Sequence, residues 1–132
     1  MESQKIFCRF LDRKVCALEL YLFSSNLNNS YSSLKLGDIF YYGSDSINQN
    51  LELAFSFYNK SANLGNQEAL FNIAYMFSKG EGIQKNNTMA IEIYQELLSQ
   101  KNSISYFPTL WSYIYAKISE SSNSFLKWLH IV

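Results

Sequence analysis

Proline and histidine each occur once in 132 residues, cysteine twice and glycine five times. With a single proline, the strongest helix breaker, most of the chain is free to be helical. The lone His130 has no partner spaced for a metal site or a catalytic pair, so it reads as a surface or helix-end residue. Cys8 and Cys16 make no disulfide framework. On one continuous helix they would stand about 12 Å apart at about 1.5 Å per residue, beyond the span of a bridge. They are therefore expected to be small buried residues. Charge of one sign is also missing: eleven basic residues balance eleven acidic ones. That leaves no basic field for nucleic acid. No apolar run reaches about 18 residues, so no membrane span is expected. Arg9, Asp12, Arg13 and Lys14 interrupt the first apolar stretch, which is not a clean signal peptide. Catalytic signatures are absent too. No G-x-S-x-G is present, and Gly80 and Gly82 are not followed by the Lys-Ser/Thr of a phosphate loop. Neither a catalytic residue, a cofactor site nor a metal site is expected.

What is present is a repeat. Hydrophobic residues make up 48% of the chain and aromatic ones 17%, enough for a core with large side chains between layers. Leu34 to Gly43 returns as Phe71 to Gly80: Gly37 to Ala74, Phe40 to Phe77 and Gly43 to Gly80 are each 37 apart. Ala54-Phe55-Ser56-Phe57-Tyr58 returns as Ala90-Ile91-Glu92-Ile93-Tyr94 after 36, with an earlier copy at Ala17 to Tyr21. A fixed period of this size marks stacked helix pairs, each burying a face that its neighbour cannot bury alone. The expected fold is an all-α solenoid of antiparallel helix pairs, read as a single domain over 1–132. Its parts are an N-terminal half repeat (5–28), repeat 1 (30–65), repeat 2 (67–101) and C-terminal capping helices (106–132).

The helix boundaries follow from local chemistry. A first helix covers about 5–24, with a possible break near Asp12. Further helices are expected over about 30–42, 50–64, 67–79 and 86–100, another from Pro108, and a separate short one after Ser122-Asn123. Asn50 and Asn86 are placed to cap helix N-termini, each three residues after an isoleucine, Ile47 and Ile83, that can pin the loop to the core. Gly65 sits where a helix closes on a left-handed residue. The sequons at Asn28, Asn59 and Asn86 carry little weight, since Asn59 falls inside a helix and Asn86 is a cap.

Leu36-Gly37, Phe40, Gly43, Ile47, Asn50, Ala54, Phe57-Tyr58 and Gly65 resemble one copy of the Sel-1-like repeat, a relative of the tetratricopeptide repeat. Ala69, Ile73-Ala74, Phe77, Gly80, Gly82-Ile83, Asn86, Ala90 and Ile93-Tyr94 resemble the next. The stretch from Lys35 to Gly43, that from Ala69 to Ile83, and the region Phe107-Pro108-Thr109-Leu110 are similar to the last repeats of the Sel-1-like adaptors of the HRD ubiquitin ligase in ER-associated degradation. The resemblance implies a non-enzymatic protein-interaction adaptor corresponding to a C-terminal portion of that family. Its partners would be ligase subunits or substrate-recognition factors, in the ER lumen or an ER-derived compartment. The alternative is a generic repeat scaffold in a cytosolic signalling or assembly complex.

One stripe stands out as a binding face. Lys35, Asp38 and Tyr42 recur as Asn72, Tyr75 and Lys79, each 37 later. The spacing of three then four puts each trio on one helix face, and equivalent first-helix faces line the concave side of such solenoids. Trp111 and Trp128 are core or end-cap aromatics on the simpler view and end-surface hot spots on the sharper one. Apolar clusters at both ends, Ile6-Phe7-Cys8 with Phe10-Leu11 and Phe125-Leu126 with Trp128-Leu129, predict self-association or docking through an end surface.

Overall fold

A computed structural model describes residues 12–100 and 106–128, the second stretch with side chains for 108–122. Among the described residues there are six helices and no sheet: α1 (Arg13–Asn26), α2 (Ser30–Tyr42), α3 (Leu51–Asn63), α4 (Gln67–Lys79), α5 (Asn87–Ser99) and α6 (Tyr106–Trp128). They group into two compact units, Met1–Asn66 and Gln67–Val132, divided where the second repeat begins.

The helices start where side-chain oxygens can take up orphan backbone N–H groups. Asn50 accepts from Leu53 N at 2.9 Å and Asn86 from Met89 N at 3.1 Å. Their backbones are nearly superposable, with φ/ψ of −145°/97° and −146°/92°. Asn29 caps α2 through Ser32 N at 2.9 Å, and Asp12 caps α1 through Lys14 N at 3.3 Å. The two inter-helix loops are tied down by the same bond. Asn50 N donates to Phe40 O at 2.8 Å, and Asn86 N to Phe77 O at 2.9 Å. Ile47 is buried as expected, whereas Ile83 is only half-buried. Gly43 ends α2 at φ 67°, and a Cβ there would meet Gln49 N at 2.9 Å. Both facts demand glycine. Gly65, at φ 87°, closes α3.

In the first unit α2 packs between α1 and α3. Leu34, Leu36, Ala54 and Tyr58 form its apolar core. Beside them runs a polar seam. The Ser25 and Ser33 hydroxyls meet at 2.8 Å, Ser61 donates to Ser30 O at 2.6 Å, and Lys60 Nζ donates to Ser25 O at 2.7 Å. Buried hydroxyls are tolerated here because each finds a partner. In the second unit α5 packs between α4 and α6, around Ala74, Ala90, Ile91, Tyr94, Leu97 and Ala116.

Each unit buries a small residue of its first helix and a tyrosine of its second. Tyr58 is buried with its ring against Gly37, where a Cβ would overlap the ring carbons. Ala74 and Tyr94, both fully buried, share the core cluster of the second unit.

The expected break near Asp12 is present, since Asp12 caps α1 at Arg13, and residues 5–11 of the expected first helix lie outside the described residues. Two expectations change. The separate helix after Ser122-Asn123 does not exist, because α6 runs unbroken through that dipeptide. Neither residue is a glycine or proline, so the sequence offers a mild propensity cost there and no stop. The cysteines are the second. Cys16 is disulfide-bonded, and Cys8 is the one other cysteine in the chain. The distance argument assumed both on one continuous helix, and the cap at Asp12 removes that premise. Cys8 lies outside the described residues, as do His130 and the apolar end clusters.

Replacing Gly37 by Ala should destabilise the protein even though alanine is the better helix former by about 1 kcal/mol. The new methyl must displace a buried ring, and overpacking costs about 1–3 kcal/mol in excess. Ala74→Leu should cost a similar amount. Urea unfolding midpoints read both, and unchanged midpoints would refute the helix register.

Candidate protein-interaction surface

The two trios of the candidate stripe have different surroundings. In the first unit the polar members are engaged internally. Lys35 Nζ lies 2.9 Å from Asp38 Oδ2 and 5.4 Å from the centre of the Tyr31 ring. The other carboxylate oxygen, Asp38 Oδ1, accepts from the Tyr58 hydroxyl at 2.9 Å. Asp38 is thus the acceptor that lets a buried tyrosine keep its hydroxyl, and Lys35 balances the resulting charge. Burial, followed by the neighbouring Asp38 charge, holds the Tyr58 phenol well above its ordinary range. Tyr42 alone is presented to solvent, 75% exposed, edge-on to Tyr41.

In the second unit the equivalent of Asp38 is Tyr75, and the chemistry changes. Lys79 is exposed and lies 5.7 Å from the Tyr75 ring centre and 5.0 Å from that of Tyr115, a cation between two aromatic faces. It makes no ion pair among the described residues. Tyr75, Ser78, Lys79, Tyr94, Trp111, Ser112 and Tyr115 line an open cleft of about 320 Å³. Asn72 is half-buried on the same helix and does not line it.

The Tyr94 hydroxyl, at the wall of this cleft, is buried and has no hydrogen-bond partner. The Ser112 and Ser78 hydroxyls lie beside it, close enough to offset part of the upward push that burial gives its phenol. Neither closes a hydrogen bond with it, and Ser78 donates to Tyr75 O at 2.7 Å instead.

The outer face of α6 adds an apolar stripe. Trp111 is 72% exposed, and Ile114, Tyr115 and Ile118 follow it at helical spacing, all exposed. Trp111 is therefore a surface residue and not a core one. Its three companions carried a signal in their i, i+3, i+4, i+7 spacing, the same spacing that a buried stripe shows. Trp128 ends α6, and its side chain lies outside the described residues. Leu20 and Phe23 on α1 and Leu27 at its C-cap are likewise exposed. Among the described residues no cluster of His, Cys, Asp and Glu can hold a metal, and no helix is long and apolar enough to cross a membrane.

This is a repeat architecture with aromatic and charged side chains on its surface. The Sel1 repeat model matches residues 30–66 and 67–102, and the chain belongs to the Sel1 repeat family. That family and its fold are typically non-catalytic scaffolds for protein interaction. Human protein sel-1 homolog 2 is 31% identical over 97 residues, which cover 73% of this chain and 14% of the relative. The HRD3 component of an ERAD-associated E3 ubiquitin-protein ligase from Candida glabrata is 28% identical over 97 residues, 74% of this chain and 11% of the relative. Arabidopsis HRD3A is 29% identical over 92 residues, 70% of this chain and 13% of that protein. The chain thus spans a small fraction of the curated relatives it matches. Among solved structures, a Sel1 repeat protein from Oxalobacter formigenes superposes with a TM-score of 0.63 at 22% identity, covering 72% of this chain and 71% of that one. Cysteine-rich protein B of Helicobacter pylori gives 0.63 at 20% identity, covering 74% and 71%. These neighbours define the all-α solenoid fold.

Tyr58→Phe should destabilise the protein by about 1.5 kcal/mol, the loss of a hydrogen bond to a charged acceptor. Tyr94→Phe should leave stability unchanged or raised, because it removes a buried hydroxyl that has no partner. The pH dependence follows the same pair. Both phenols are raised in the folded state, so the fold keeps protons that the unfolded chain releases. Their contribution is full below about pH 10 and is lost as pH rises beyond it. Thermal melts across the alkaline range should show that decline, weakened in each Phe variant.

Proposed function

We propose that this chain is a non-enzymatic protein-interaction adaptor of the kind that serves the HRD ubiquitin ligase in ER-associated degradation. The observation that carries the reading is the similarity to HRD3 components from a yeast and a plant across both repeats. Partners would be ligase subunits or substrate-recognition factors. On the two first-helix faces, the exposed Tyr42 in one unit and the half-buried Tyr75 with the exposed Lys79 in the other would serve as contact points. Lys35, Asp38 and Asn72 would shape those faces. A two-torsion aromatic gives much contact area for little lost entropy. The bonded Cys16 favours an oxidising compartment such as the ER lumen over the alternative, a scaffold in a cytosolic complex.

Affinity purification from the native source tests the reading. Ligase subunits or misfolded glycoproteins should be recovered, and recovery of a cytosolic complex alone would replace it with the scaffold reading. Alanine at both Tyr42 and Tyr75 should weaken capture about tenfold or more without lowering the melting temperature. If capture survives that change and is abolished by substitution of Trp111 or Trp128, the interface lies on the C-terminal helix.

A further inference from the structure

The two units solve one packing problem and differ in how they finish it. Both bury a tyrosine of the second helix, Tyr58 against Gly37 in the first unit and Tyr94 in one core cluster with Ala74 in the second. In the first unit the hydroxyl donates to the Asp38 carboxylate at 2.9 Å, and Lys35 balances the charge. In the second unit the residue in the place of Asp38 is Tyr75. No acidic side chain replaces the lost acceptor, and the Tyr94 hydroxyl is left buried without a partner. A buried, unpaired hydroxyl costs about 1–3 kcal/mol, and phenylalanine would avoid that cost. Beside it stands a cation, Lys79, that no described carboxylate neutralises, held between the Tyr75 and Tyr115 rings. The Ser112 hydroxyl lines the same cleft.

We propose that the cleft of the second unit binds the carboxylate of an acidic side chain from a protein partner, in the role that Asp38 fills internally in the first unit. Tyr94 and Ser112 donate to the carboxylate and Lys79 supplies the opposite charge. Residues flanking the acid rest on the exposed face of Trp111, Tyr115 and Ile118, which sets the chemistry of the partner segment: one acidic residue among apolar ones. The first unit has no such vacancy, since Asp38 already occupies the position and would repel a second carboxylate. This inference deepens the reading of the chain as a protein-interaction module and rests on it.

The test uses the full chain and two blocked pentapeptides, Ac-Ala-Leu-Asp-Leu-Ala-NH2 and its Asn counterpart, titrated by heteronuclear NMR. The Asp peptide should shift the amides around Tyr75, Ser78, Lys79, Ser112 and Tyr115. The Asn peptide should bind about tenfold more weakly, the loss of charge-assisted hydrogen bonds. Tyr94→Phe and Lys79→Gln should each weaken the Asp peptide about three- to tenfold and leave the Asn peptide unaffected. Lys79 is exposed, so that variant does not threaten the fold, and Tyr58→Phe should leave peptide affinity unchanged. Equal binding of the two blocked peptides, shifts confined to other surfaces, or full affinity in both cleft variants would overturn the proposal. So would an Asn peptide with a free C-terminus that binds as tightly as the blocked Asp peptide, since it would assign the site to chain ends. Peptide failure alongside recovered ligase subunits overturns the cleft alone. Cleft binding without those subunits overturns the ligase assignment alone.

Discussion

The helix pairs depend on how closely the first helix of each can approach the second. At Gly37 there is no side chain at all, and at Ala74 a single methyl. Gly37 is met by the buried Tyr58 ring of the facing helix, and Ala74 shares the second core with the buried Tyr94. A fully buried ring contributes about 1.5–3 kcal/mol, but a tyrosine brings a hydroxyl that must be satisfied inside. That requirement propagates outward. In the first unit it calls for a carboxylate at position 38, and the partly buried carboxylate then calls for a cation, supplied one turn earlier by Lys35. Two polar residues of α2, Asp38 and Lys35, therefore follow from a packing choice made beneath them.

The loops are bound by a second constraint, which explains why the repeat length drifts from 37 to 36 without disturbing the fold. What is held constant is the exit and the re-entry of the chain. Exit needs a positive φ at Gly43 or Gly80, and re-entry needs an asparagine whose side chain caps the next helix. The backbone N–H of that asparagine also bonds back to the Phe40 or Phe77 carbonyl. Between those fixed points the chain tolerates one residue more or less. The loss shows in Ile83, which is less buried than Ile47.

Much of this was legible in the residues. The period, the two asparagine caps, Gly65 and the small-residue positions rest on local chemistry that acts the same way in any context. What stayed hidden depends on partners distant in sequence or on the absence of a signal. The spacing of Lys35, Asp38 and Tyr42 says that they share a face, and it cannot say that Tyr58, twenty positions on, has already claimed Asp38. Trp111, Ile114, Tyr115 and Ile118 have the spacing of a buried stripe, yet the buried positions of α6 include Thr109 and Ala116. Small residues at those positions and the half-buried Tyr113 form the face of α6 on the core, and Trp111, Ile114, Tyr115 and Ile118 are left outside. Ser122-Asn123 carries a mild propensity cost and no stop, and a distance along one helix does not apply to cysteines on either side of the cap at Asp12.

The comparison of units also bears on how a repeat scaffold acquires a site. Two copies of one fold share their packing demands, so a demand met internally in one copy and left open in the other marks a place where the surface has changed its role. Exposed aromatics alone do not mark such a place, because Tyr42 is as exposed as Trp111 and shares its helix face with Lys35 and Asp38, which are already paired. The second unit combines three things: a buried donor without an acceptor, an exposed cation without a counter-charge among the described residues, and an apolar rim. Hydrogen bonding from a donor screened from water is stronger than from an exposed one, and the rim excludes water from the contact. The proposed carboxylate would thus take in the second unit the place that Asp38 fills inside the first.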